Sequence, residues 1–167
     1  MRYKVVPEPR GVDLLLSARD AVPLVPGSVE DCCTRIRDRT GIESRDAARE
    51  WLTFCQALGL VEGTDRGYRR IRDEPGRDAP GRDALGQAFG DHVFGVEETL
   101  QALDTEEPRD VRAVFERGRG IVPRWERDRY PDWEDEWRER IRRLLEWGVA
   151  FGCVERADGE RYMRSRD

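Results

Sequence analysis

Residues able to do chemistry are few, and their spacing is poor for it. Four cysteines (Cys32, Cys33, Cys55, Cys153) and one histidine, His92, are the whole supply of thiols and imidazoles. A structural zinc site needs four convergent ligands, usually in local pairs, and no CxxC spacing occurs. Adjacent Cys32 and Cys33 point to different sides of a helix; the four cysteines read as small buried fillers, with a redox-sensing thiol as the alternative. No disulfide is expected in a cytoplasm. His92, in QAFGDHVFG, reads as a turn or core residue rather than a base. The acidic run Asp132–Glu136 with Glu139 shares a helix with Trp133 and Trp137 and reads as its wet face. There is no Gly-rich phosphate loop, Ser-His-Asp set or metal-binding carboxylate cluster. The sequence therefore argues against an enzyme and calls for no cofactor and no metal.

The chemistry left is that of the guanidinium group. The chain has 29 Arg and one Lys, Lys4, against 35 acidic residues, for a net charge of −5. The planar fork of Arg grips phosphates and guanine edges. Charge is uneven: residues 1–80 hold 14 acidic and 14 basic side chains, whereas residues 81–167 hold 21 and 16. The near absence of Lys fits a GC-rich genome or a salt-loving cytoplasm, and the composition resembles that of haloarchaeal proteins, where the two coexist. At about 1 M salt the Debye length falls to ~3 Å, so a sequence pI near 5.2 does not exclude nucleic acid. It does exclude binding that relies on a bulk basic field.

With 39% charged residues and a mean hydropathy of −0.79, the chain has the composition of a disordered segment. Five Trp, five Phe and four Tyr at helical spacings argue instead for folded domains with small cores. For 167 residues, two domains of ~80 residues fit better than one. No run approaches the ~20 apolar residues of a membrane helix, and no apolar segment follows Met1, so a soluble, cytoplasmic protein without membrane partners is expected.

An internal repeat sets the organisation. Trp51–Glu62 reads WLTFCQALGLVE and Leu144–Glu155 reads LLEWGVAFGCVE, at a constant offset of 93 residues. Ala57, Gly59, Val61 and Glu62 recur as Ala150, Gly152, Val154 and Glu155, and with one residue inserted Tyr68 falls on Tyr162. Each copy reads as an amphipathic helix stopped by glycine, a short apolar strand (60–62; 153–155), an Asp/Gly turn and a strand bearing Tyr and Arg. Between the copies, EPGRDAPGRD at Glu74–Asp83 reads as a linker. The expected division is residues 1–73, a linker at 74–83, and residues 84–167.

Upstream of the first copy, Ser28 precedes a helix over 29–39, with Asp31 three residues on as in a capping box. Thr40–Gly41 stops this helix, and Ser44 caps the next, 45–58, whose Ala48, Trp51, Leu52, Cys55 and Leu58 form a core stripe. Gly11–Arg19 reads as a strand or first helix. Over residues 13–72 this order resembles the winged helix-turn-helix proteins. The fold class expected is mainly α with small β wings, two winged helix-turn-helix domains in tandem. The second copy departs from the pattern: helices expected at 95–103 and 109–117 are separated from that at 133–147 by a long loop, 118–132, which argues against DNA reading there.

The resemblance implies a set of contacts, because the second helix of the motif enters the major groove and the wing touches the backbone. By position these are Ser44, Arg45, Arg49 and Thr53 on the helix and Arg66, Arg69, Arg70 and Arg72 on the wing, with Tyr68 packed below. The alternative is a solvated face on which Arg45 and Arg49 pair with Asp46 and Glu50. A second basic patch is expected at Arg119, Arg124, Trp125 and Arg127, where arginines interleave with aromatics that either bind phosphates and bases or bury against the domain. Two functions follow. One is a regulator or chromatin-associated protein that binds duplex DNA through the first domain and dimerises or binds a protein through the second. The other is a protein-docking scaffold.

Overall fold

The computed structural model describes residues 2–72 and 80–166. The chain divides into two compact units, Met1–Val93 and Phe94–Asp167. Most of the expected linker lies outside the described residues.

The first unit runs α1 (Val12–Ala21), α2 (Val29–Thr40), α3 (Arg45–Ala57), β1 (Val61–Thr64), β2 (Gly67–Arg70) and α4 (Arg82–His92). Residues 11–19, open between strand and helix in the sequence, are helical from Val12 onward, with Gly11 as the N-cap. Ser28 accepts a hydrogen bond from the Asp31 amide at 3.0 Å. The capping box is left half-made, because the Asp31 carboxylate accepts from Arg35 at 2.9 Å. Gly41 ends α2 at φ 74° and Gly59 follows α3 at φ 75°, both left-handed turns that glycine takes without strain. The anticipated stripe of α3 is buried, with Leu15, Ala18, Ile36, Leu60 and Val61 around it. Cys32, Cys33 and Cys55 fill the same core.

The wing is an antiparallel hairpin with Glu62 opposite Arg69 and Thr64 opposite Gly67. It is fastened to the start of α2 by a reciprocal backbone pair, the Gly27 amide to the Tyr68 carbonyl and the Tyr68 amide to the Gly27 carbonyl, each 2.8 Å. The approach is so close that a Cβ on Gly67 (φ +126°) would lie 2.2 Å from the Gly27 oxygen.

Helix α4 belongs to the first unit, although the expected division gave residues 84–93 to the second. Phe89 packs edge-on against Phe54 of α3, their ring centroids 6.2 Å apart. The Tyr3 amide donates to the His92 carbonyl at 2.7 Å, so the N-terminal segment closes on the same helix. The boundary thus falls after a buried Val93. The His92 side chain itself is exposed at the helix end rather than in the core.

The second unit repeats the order: α5 (Val96–Gln101), β3 (Arg109–Asp110), α6 (Val111–Gly118), a 3-10 turn (Arg119–Ile121), α7 (Arg124–Arg129), α8 (Trp133–Phe151), β4 (Val154–Arg156) and β5 (Arg161–Arg164). The sheet order is β3-β5-β4, with Arg109 opposite Tyr162. Tyr68 and Tyr162, matched in the sequence, therefore occupy the same place in the two wings. Residues 118–132 are not a loop; two short helical pieces lie there, held by contacts described below. The core gathers Val114, Phe115, Val122, Trp137, Ile141, Leu145, Val154 and Tyr162. Helix α8 outlasts its expected end because Trp147 and Phe151 continue the apolar face, stacked with centroids 5.4 Å apart. No described helix is long and apolar enough to cross a membrane.

Replacing Gly67 by Ala puts a methyl group on the Gly27 carbonyl and strains a positive φ, and should cost about 2–4 kcal/mol. Gly90→Ala, in open space inside α4, should gain about 0.5–1 kcal/mol. Denaturant unfolding of both variants in one KCl buffer checks the opposite signs.

Candidate nucleic-acid interface

Helix α3 buries one face and leaves Arg45, Asp46, Arg49 and Glu50 exposed, with Thr53 half-buried. Ser44 is spent on local structure, since its hydroxyl oxygen accepts from the Ala47 amide at 3.0 Å. Arg45, the first helical residue, reaches back to α2: its Nε donates to Glu30 Oε1 at 2.7 Å and Oε2 at 2.9 Å. Nη2 adds a further bond to Oε1. The Arg45 bond holds the Glu30 carboxyl below its ordinary range, with a smaller contribution from the charge of Arg49. The pairing of Arg45 with Asp46 weighed from sequence is a weak contact at 3.8 Å. Among the described residues Arg49 makes no hydrogen bond or ion pair.

On the wing, Arg66 sits at the turn, where its amide donates to the Thr64 hydroxyl at 3.2 Å and its exposed guanidinium pairs with none of the described residues. Arg69 is bonded to Glu62 directly across the hairpin. Arg70 is half-buried with its Nη1 3.5 Å from Asp20 Oδ1. Asp20 is a hub, because Arg19 lies 2.9 Å and Arg39 3.9 Å from the same carboxylate. Arg72 is exposed and has no hydrogen bond or ion pair among the described residues. Tyr68 is half-buried under the hairpin. Sequence reasoning missed Arg37, whose Nη2 donates to the Glu43 carbonyl at 2.8 Å and ties the end of α2 to the turn before α3.

Of the eight nominated residues, Arg49, Arg66 and Arg72 thus offer guanidinium groups unpaired among the described residues, Thr53 is half-buried, and Ser44, Arg45, Arg69 and Arg70 already have partners.

The second patch is packed. Arg119 donates to Glu134 at 2.8 Å and lies 5.2 Å from the Trp133 ring centre. Arg127 lies 5.1 Å from that ring and donates to the Arg119 carbonyl. Two guanidinium groups thus share one indole, a geometry that cation–π attraction favours. Buried Glu126 accepts from Trp137 Nε1 at 2.7 Å and anchors α7 from below. Arg124 and Trp125 remain outside, the indole 56% exposed, with Tyr130 also on the surface. On α8, Arg138 pairs with Asp135 and both Arg142 and Arg143 with Glu139, all within the helix. Desolvation lowers Arg140 to about 10, and its Nη2 donates to the Phe94 carbonyl at 2.7 Å. The helix that matches α3 in the second unit therefore has much of its charge closed on itself.

Among the described residues no group of three metal-binding side chains forms. Two units, each with a run of helices that leads into a two-stranded wing, define a tandem winged-helix protein, and the winged helix is a common duplex-DNA-binding fold. The chain matches the halobacterial double winged helix domain over residues 1–167 and belongs to that family. No curated protein and no solved structure gives a match.

The thiols supply a pH dependence. Burial pushes Cys32 up to about 11 and Cys55 to about 12, from an ordinary value near 9. In the second unit, burial and the 2.6 Å hydrogen bond to Glu146 push Tyr162 from 10 to about 12. In each case the folded state holds its proton more tightly than the unfolded chain. Stability should be complete below pH 9 and fall as pH rises from about 9 towards 12. Denaturant midpoints across that range check it, and Tyr162→Phe should remove the part that begins near pH 10.

Proposed function

We propose that the chain is a non-enzymatic DNA-binding regulator of the haloarchaeal cytoplasm whose first unit contacts duplex DNA, with α3 in the major groove and the β1–β2 wing on the backbone. One observation carries this reading: the outer face of α3 and the tip of the wing are both exposed, and each presents an arginine, Arg49 and Arg66, with no bonded partner among the described residues. An arginine so placed gives a phosphate or a guanine edge its donors without first losing an ion pair. The fold fixes the two arms relative to each other through the Gly27–Tyr68 bridge. Acidic neighbours keep the long-range field weak. In a cytoplasm of molar salt that matters little, since only contacts within a few ångströms escape screening.

The second unit is assigned a protein-docking role, with another copy of the chain or a different protein as partner. The ion pairs along α8 and the exposed Trp125 and Tyr130 favour it, because charges already paired leave aromatic surface as the main source of contact energy. A scaffold that never touches DNA is the competing reading, and it predicts no effect of Arg49 or Arg66 on any DNA measurement.

Fluorescence anisotropy with a mixed-sequence duplex, titrated with KCl from low to molar concentration, tests the proposal. Wild type should bind, and Arg49→Glu or Arg66→Glu should each weaken binding and flatten the log affinity against log salt slope by about one. Arg69 and Arg70 are poorer targets, being tied to Glu62 and Asp20. Affinity and slope unchanged in both variants would contradict the assignment.

A further inference from the structure

We propose that Glu30 and Glu62 are electrostatic latches on the DNA face of the first unit, each holding one of its arginines in an ion pair that duplex DNA must displace. The proposal rests on the DNA reading of that face and says how its affinity is set.

The two pairs have the same chemistry on the two arms of the interface. Glu30, on α2, takes Nε and Nη2 of Arg45 on α3, fifteen residues away. Glu62, on β1, takes Nε and Nη2 of Arg69 at the facing position of β2. In both, the occupied edge is one with which a guanidinium grips a phosphate in two parallel hydrogen bonds. A carboxylate therefore stands where a DNA phosphate would stand. Among the described residues no carboxylate is bonded to Arg49 or Arg66, so the face is half open and half closed.

Both pairs are exposed: the side chains are 43% and 67% accessible for Arg45 and Glu30, and 49% and 40% for Arg69 and Glu62. Opening them uncovers no buried charge, so exchange of a carboxylate for a phosphate is a small free-energy step in either direction. Its salt dependence is unusual. A guanidinium that moves from water to a phosphate releases a condensed cation from the DNA. One that first leaves a glutamate also bares a carboxylate, which gathers cations again. The two effects oppose each other, and molar KCl weakens the latch along with the DNA contact. Arg45 and Arg69 then add affinity with little added salt dependence, and at low salt the latches hold down non-specific binding.

The test uses the full chain with Glu30→Gln, Glu62→Gln, the double variant and Asp65→Asn. The last removes one negative charge beside Arg66 at the wing turn from a side chain with no ion pair among the described residues. Far-ultraviolet circular dichroism establishes that each is folded, and anisotropy on a mixed-sequence duplex is read across a KCl series. Each Gln variant should bind about two- to fivefold tighter than wild type at low salt, the range of an exposed ion pair. Each should also have a salt slope steeper by up to about one, and the curves should converge at molar KCl. Asp65→Asn should gain less. In an Arg45→Ala background, Glu30→Gln should gain no more than Asp65→Asn does, because only the weaker charge effect on Arg49 is left.

Unchanged or weaker binding by the Gln variants overturns the latch, weaker binding meaning that Glu30 props Arg45 for contact. An equal gain from Asp65→Asn also overturns it, in favour of general charge. Failure of the underlying DNA reading looks different: wild type and every variant, all folded, bind no duplex at any salt, and the latch falls with it.

Discussion

Each unit depends on a backbone pairing that fastens its wing to the start of its second helix. In the first, Gly27 and Tyr68 exchange both amide–carbonyl hydrogen bonds. In the second, Arg109 stands opposite Tyr162 in a three-stranded sheet. A hairpin of two four-residue strands is marginal alone. The third partner makes it part of the fold, and the next residue in each unit caps the helix: Ser28 accepts from the Asp31 amide and Asp110 from the Ala113 amide. One short segment thus sets both where the wing lies and where the helix begins. The left-handed Gly67 is required by this closeness, since any side chain there meets the Gly27 carbonyl.

The arginines are distributed over this frame with different work in the two units. In the second, several are structural: Arg119 and Arg127 enclose Trp133, and Arg156 bonds Glu146 while lying 5.4 Å from the Tyr162 ring centre. In the first, Asp20 collects Arg19, Arg39 and Arg70, whereas Arg49 and Arg66 are exposed. The first unit supports the DNA reading for this reason, and the packing of the second supports a protein-facing role. Much of the pairing is on the surface, where single ion pairs contribute little each and are screened by salt.

Much of this architecture was legible in the sequence. The 93-residue repeat located both helix–strand transitions, because a glycine stop and an apolar strand are local signals that survive divergence; Gly59 and Gly152 take left-handed φ values of 75° and 81°. The buried stripe of α3 followed from its period. Residues 84–93 read as the start of the second unit, since the packing of Phe89 on Phe54 and the Tyr3–His92 hydrogen bond that join them to the first are both long-range. Residues 118–132 read as a loop because their helices are under two turns, too short for periodicity, and their anchor is the non-local bond from Trp137 to Glu126. At the candidate interface, sequence gave positions but not availability. The Arg69–Glu62 pair could have been found by counting outwards from the Asp65–Arg66 turn, whereas Arg45–Glu30 spans two helices and has no local signature.

The central claim, that the first unit meets duplex DNA with α3 and its wing, is tested most directly by residue-resolved NMR. Amide shifts of the labelled protein would be followed as a mixed-sequence duplex is added at high KCl. The account predicts perturbations concentrated at residues 44–53 and 64–70, with α8 nearly silent. Perturbations confined to residues 119–151, or none at saturating DNA in a folded sample, would contradict it.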